Sequence, residues 1–131
     1  MIITGTKLRV ADNSGAKWAK CVKIIGKGNK KVSSIGNLVM VTLSNFITRK
    51  KVKKRTIYLG LIINVKSWIA RPDGSLVKFF SNRILIFNKQ YKFLGTRVYG
   101  AISKEIRLQN KKDKNSRKYF QKIISYSSLT L

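Results

Sequence analysis

From Thr56 to Phe87 the chain reads TIYLGLIINVKSWIARPDGSLVKFFSNRILIF, three apolar runs separated by one tight turn and one short polar break. Ile62, Ile63, Val65, Trp68 and Ile69 precede the turn, and Leu76, Val77, Phe79 and Phe80 follow it. β-Branched and aromatic residues of this kind suit a pleated, half-buried surface, so the stretch predicts a long hairpin at the centre of a small β-barrel. Arg71-Pro72-Asp73-Gly74 fits a type I turn, because proline pre-sets φ at its second position and glycine accepts the geometry that closes it.

The pattern continues on both sides. Lys7 to Val10 is a short strand, and Asp12-Asn13-Ser14-Gly15 is a turn in which Asp12 serves as a turn or capping residue. Trp18 to Ile25 alternates imperfectly, with Trp18, Lys20, Val22 and Ile24 on one face and Ala19, Cys21, Lys23 and Ile25 on the other. Asn37 to Ser44 is almost continuously apolar, which predicts burial on both faces or packing against a helix. Arg83 to Phe87 is a further strand. In Ala101 to Leu108, Ile102, Ile106 and Leu108 fall on one helical face, so a short helix is expected there. Gln109 to Lys118 has no apolar residue and six charges, and is expected to loop out. Trp18, Trp68, Phe79, Phe80 and Tyr99 sit within apolar runs and are expected in the core rather than stacked on bases.

Charge changes the picture more than size does. The 131 residues suit one domain spanning 1–131, but 29 Lys and Arg stand against 4 Asp and Glu, a net charge of +25. A compact chain so charged repels itself and calls for a polyanion. Nucleic acid meets that need by phosphate neutralisation with counterion release, whereas an anionic membrane is normally met by a basic amphipathic helix, which the sequence lacks. No membrane partner is expected. The cations gather in three segments, Lys27 to Lys31, Arg49 to Arg55 and Lys111 to Lys118. The second belongs to TRKKVKKR, six cations in eight residues, too dense to pack without counterions and so an extended loop. Candidate RNA-contacting residues are therefore Lys27, Lys30, Lys31, Arg49, Lys50, Lys51, Lys53, Lys54 and Arg55, with Arg71 in the central turn.

Catalytic classes fare poorly. Without His, and with the single Cys21 expected as a small buried apolar residue, the usual metal clusters, disulfide frameworks and Cys-His or Ser-His pairs are missing. Asp12, Asp73, Glu105 and Asp113 offer no evident carboxylate pair. The glycines of Gly26 to Lys31 lack the GxxxxGK[ST] spacing of a phosphate loop, and no RRM motif is present. No enzyme activity and no cofactor are expected. MIITGTKLRV has neither a signal peptide's apolar region nor a transit peptide's Arg- and Ser-rich character, so a soluble protein made where it works is expected.

Several motifs, in order and correctly spaced, carry a family resemblance. Gly60-Leu61-Ile62-Ile63, nine residues, Asp73-Gly74, four more, Phe79, two more, Asn82, then Leu85-Ile86 resembles the signature of the ribosomal protein L14 family, with Leu85 where the pattern has Val. Val10 to Lys17, Lys51 to Lys54, Gly95-Thr96-Arg97 and Lys122 to Ser125 are similar to other motifs of that family. The chain departs from them in Asn37 for Asp, Arg55-Thr56 for Gly-Asp, Ala101 for Pro, and a tail without Pro or Glu; Gln109 to Lys118 includes an insertion of about eight or nine residues relative to the family.

The resemblance implies a mainly β fold, a five-stranded β-barrel with short C-terminal helices and basic loops. It further implies a structural constituent of the large ribosomal subunit at the subunit interface, bound to large-subunit rRNA, bridging to small-subunit rRNA and neighbouring ribosomal proteins L19 and L3. A ribosome-silencing factor docks on members of this family, and Thr96, Arg97 and Lys122 are the positions carried over for it. Lys outnumbers Arg 21 to 8 and Ile, Asn, Phe and Tyr are plentiful, a bias of A/T-rich codons. That bias, with the insertion and altered tail, points to a mitochondrial ribosome; an A/T-rich bacterium's cytoplasm or a plastid is the alternative. The competing function is a free-standing RNA-binding barrel acting in translation or RNA processing.

Overall fold

The computed structural model describes residues 1–26, 31–47, 51–53, 55–106 and 121–131. Nine strands follow in order: β1 (Lys7–Val10), β2 (Ala16–Ile24), β3 (Leu38–Phe46), β4 (Ile57–Asn64), β5 (Ile69–Ala70), β6 (Leu76–Val77), β7 (Arg83–Phe87), β8 (Val98–Ile102) and β9 (Ser127–Thr130). Five of them close a barrel in the order β1-β2-β3-β4-β7. Every pairing within the barrel is antiparallel except the one that shuts it, where β1 runs parallel to β7 with Arg9 opposite Arg83 and Val10 opposite Ile84.

The interior follows from register. Leu8 faces Ala19, Cys21 faces Val41, Val39 faces Gly60, and Gly60 faces Ile86. All of these apolar side chains are buried, so the barrel is filled by its own strands, as a small barrel must be. Cys21 takes the expected place as a small apolar residue, and burial pushes its thiol pKa up. Three register irregularities along β2, between Ala16 and Trp18, Trp18 and Ala19, and Cys21 and Lys23, let nine residues bend around the wall.

Four expectations need correction. The central stretch is not one long hairpin: β4 pairs with β7, and only Ile69-Ala70 and Leu76-Val77 pair with each other, as a small ribbon outside the barrel. A two-residue ribbon has no second layer to pack on, which leaves Trp68 and Leu76 largely exposed and Phe80 fully so. The aromatics expected in the core are therefore mostly outside it; Trp18 on the outer face of β2 and Tyr99 on β8 are exposed as well, and Phe79 is half-buried. The strand buried on both faces is β4, whose residues 58–64 are all buried, with β7 beside it. β3 instead alternates buried Val39 and Val41 with half-buried Leu38 and Met40, and exposes Ser44 and Asn45. Finally, Ala101 and Ile102 end strand β8 rather than start a helix, because β9 runs parallel beside them; helical geometry is described at 105–106. Helical geometry is described again at 121–126.

The turn itself forms as expected. Gly74 N–H donates to Arg71 O at 3.0 Å, Arg71 N–H donates to Ser75 O at 3.0 Å, and Gly74 has φ +86°. That is a type I turn followed by a left-handed residue, the three-residue hairpin for which glycine has no steric cost.

Candidate nucleic-acid interface

The loop between β3 and β4 is held at its middle. Val52 is 1% exposed, and the Lys53 N–H donates to the Tyr58 hydroxyl at 2.8 Å. One apolar anchor between two lysines fixes the backbone while Lys51 and Lys53 both stay exposed. Arg55, with φ 54°, completes the exposed cations of this loop; Arg49, Lys50 and Lys54 lie outside the described residues. Sequence reasoning counted the charges here and missed the anchor, although a lone valine between cations was its signal. Of the other basic loop, Lys31 is exposed beside a chain fixed by the Ile2–Ser33 bridge, and Lys27 and Lys30 lie outside the described residues. The expected loop at Gln109 to Lys118 also lies outside them.

Arg71 is engaged within the chain. Its Nε donates to Glu105 Oε1 at 2.7 Å and its Nη2 to Leu131 O at 2.6 Å, so the guanidinium ties the β5–β6 ribbon to the C-terminal segment. The Glu105 hydrogen bond also holds Arg71 in its charged form. Asp73 is committed to Ser75, whose hydroxyl and N–H lower its pKa.

Asp12 is the third described carboxylate, and it is buried. Oδ2 accepts from Ile86 N–H at 2.9 Å, while Oδ1 accepts from Ser14 N–H at 2.9 Å and from the Ser14 hydroxyl. Desolvation nevertheless outweighs these bonds and pushes its pKa up. The turn role expected for Asp12 is thus extended to the barrel wall, since it reaches across to β7. Asn13 does the same for a second turn. Its Oδ1 accepts from the N–H groups of Thr96 (2.7 Å) and Arg97 (3.2 Å), and its Nδ2 donates to Thr96 Oγ1 at 2.7 Å. A Cβ on Gly95 would come within 2.9 Å of Asp12 Cβ and 2.8 Å of the Phe93 ring, so only glycine lets the turns dock this closely.

The docking places Thr96 and Arg97 just before β8. Lys122 sits on the 121–126 helix just before β9, with Ile123 buried beneath it, and β8 and β9 are parallel with Val98 opposite Ser127. All three predicted partner-contact residues are therefore exposed and lie at the same end of the β8–β9 pair. Phe93 stacks on Tyr126 at 6.0 Å between ring centroids and joins the two segments.

A barrel with cations on anchored loops and its described carboxylates turned to internal bonds is suited to a polyanion with fixed shape. The family model for ribosomal protein L14p/L23e matches residues 1–131. The chain belongs to that family. As an L14p/L23e protein it is a structural, non-enzymatic constituent of the large ribosomal subunit, associated with the ribosome and binding rRNA and other ribosomal proteins. The five-stranded barrel that the resemblance implied is the one observed. For an L14p/L23e protein, whose barrel is the scaffold, Asn13 and Gly95 are the site residues that sequence reasoning passed over; both lie inside recognised motifs but act by joining them.

Proposed function

We propose that this L14p/L23e chain, acting as one domain, sits at the subunit interface of a mitochondrial large ribosomal subunit, beside ribosomal proteins L19 and L3, and contributes to bridges with small-subunit rRNA. Lys27, Lys30, Lys31, Arg49, Lys50, Lys51, Lys53, Lys54 and Arg55 bind rRNA phosphates, while Arg71, first expected among them, is paired with Glu105 and fixes the ribbon. The observation that carries this reading is that Asp12, Asp73 and Glu105 are each bound to internal partners, so no described carboxylate neutralises the described loop cations. Purified large subunits washed in high salt should retain the protein, and recovery in the soluble fraction would favour a free-standing RNA-binding factor. Fractionation of organelles tests the compartment.

Thr96, Arg97 and Lys122 form the dock for a ribosome-silencing factor. Their common position at one end of the β8–β9 pair supports this. Arg97→Ala with Lys122→Ala tests it cleanly, because both are exposed, whereas Thr96 also bonds Asn13. The expected outcome is weaker factor binding with rRNA assembly intact, and unchanged factor affinity discards the dock.

A further inference from the structure

The barrel wall itself carries a basic surface that none of the loop residues accounts for. Register aligns side chains on the outer face of β1, β2 and β3, with Arg83 at the start of β7, into two rows. Arg83, Arg9, Trp18 and Asn45 are successive cross-strand partners in one row, and Lys7, Lys20 and Thr42 in the next. The alternation fixes their direction: Leu8, Ala19 and Cys21 point inward, and Lys7, Arg9, Trp18 and Lys20 are exposed. Neighbouring strands lie about 4.8 Å apart and residues two apart on a strand about 7 Å, so these groups share one compact patch. Lys7 directly opposite Lys20 is a like-charge pair, which disfavours the free protein. Among the described residues no carboxylate relieves it, since Asp12 is buried, Asp73 is held by Ser75, and Glu105 by Arg71. Trp18 is 43% exposed on the same face, a large apolar ring left in water between cations. Arg83 donates to Tyr99 O at 3.0 Å and marks the edge of the patch.

Resting on the reading of this chain as an rRNA-bound ribosomal protein, we propose that the outer face of β1–β2–β3 is a second RNA contact, in which Lys7, Arg9 and Lys20 hold phosphates and Trp18 stacks on an unpaired nucleobase. Charge complementarity names the partner: like-charge pairs on a rigid wall are relieved by a polyanion, and an indole beside them offers a face to a base. These groups stand on paired strands, so they contact RNA at fixed spacing with little ordering cost.

The test uses the full-length chain and a large-subunit rRNA transcript from its own source, with binding followed across a salt series. Lys7→Gln with Lys20→Gln should lower the slope of log affinity against log salt by about 2, roughly one per lysine, while raising the melting temperature of the free protein. Trp18→Ala should weaken binding by on the order of tenfold. With Trp68→Phe, Trp18 is the sole tryptophan, and its fluorescence should be quenched by the transcript. If Lys51→Gln with Lys53→Gln weakens binding but the Lys7/Lys20 and Trp18 variants bind as the parent does, with no quenching, the wall contact is overturned while rRNA binding stands. Failure of the unaltered chain to bind the transcript overturns both.

Discussion

Replacing Asp12 with Ala removes a staple that crosses from the first turn to the barrel wall. The carboxylate accepts from Ile86 N–H at 2.9 Å and from Ser14 N–H at 2.9 Å, and both donors belong to fully or nearly fully buried residues. An alanine there leaves each donor without its partner in a place water does not reach. Each unsatisfied buried group costs about 1–3 kcal/mol, and loss of a desolvated carboxylate returns part of that, giving a net destabilisation of about 3 kcal/mol. For a chain of this length that corresponds to a fall in melting temperature of about 10 °C. Thermal unfolding of the free protein, followed by far-UV circular dichroism at neutral pH, measures it. Asp12→Asn keeps one acceptor oxygen and should fall between the two. A melting temperature for Asp12→Ala within about 2 °C of the parent would refute the staple, because no rearrangement short of new acceptors could hide two buried N–H groups.

Two more expectations concern the free protein. The raised pKa of Asp12 means the folded state holds that proton more tightly than the unfolded chain does, so its contribution favours folding below the unfolded value near 4 and fades as pH rises through the folded pKa. The stability difference between the parent and Asp12→Asn should therefore shift against the parent as pH climbs from below 4, as measured by urea titrations at several pH values; a pH-independent difference would contradict it. Gly60→Ala places a methyl 3.2 Å from Ile84 Cδ1, 3.3 Å from Val41 Cγ1 and 3.4 Å from Val39 Cγ2, tight on three sides of a closed interior. Overpacking should outweigh the gain in backbone rigidity and lower stability by about 1–2 kcal/mol, visible as a lower urea midpoint with an unchanged slope. A raised midpoint would mean the barrel interior is looser than its register implies.

Polar side chains, not only apolar packing, fix how this barrel is closed and dressed. Asp12 and Asn13 are adjacent in sequence, yet one bonds β7 and the other the 95–97 turn. A single turn thereby holds the barrel wall and the segment proposed for partner binding in one frame. Arg71 plays the corresponding part at the ribbon, through Glu105 and Leu131 O.

Local chemistry was enough for the elements whose partners lie near in sequence. The Arg71–Gly74 turn, the short strand at Lys7 to Val10 and the position of Cys21 could be read from residue types alone, and net charge alone demanded a polyanion. Motif spacing added the five-stranded barrel through its family. What the chain could not reveal on its own was which apolar runs would find a second layer. Asn37 to Ser44 and the residues around Trp68 look as greasy as β4 and β7, but burial depends on what the rest of the chain lays over each face. Closure through a parallel β1–β7 pair sets that assignment. It leaves Trp18 on the outer face and buries Ile57–Asn64 beyond its first residue, while Trp68 and Phe80 stay in water because the ribbon outside the barrel has no second layer. The strand character of Ala101-Ile102 was likewise decided by β9 arriving from the far end of the sequence, since a parallel partner supplies hydrogen bonds that no local periodicity encodes.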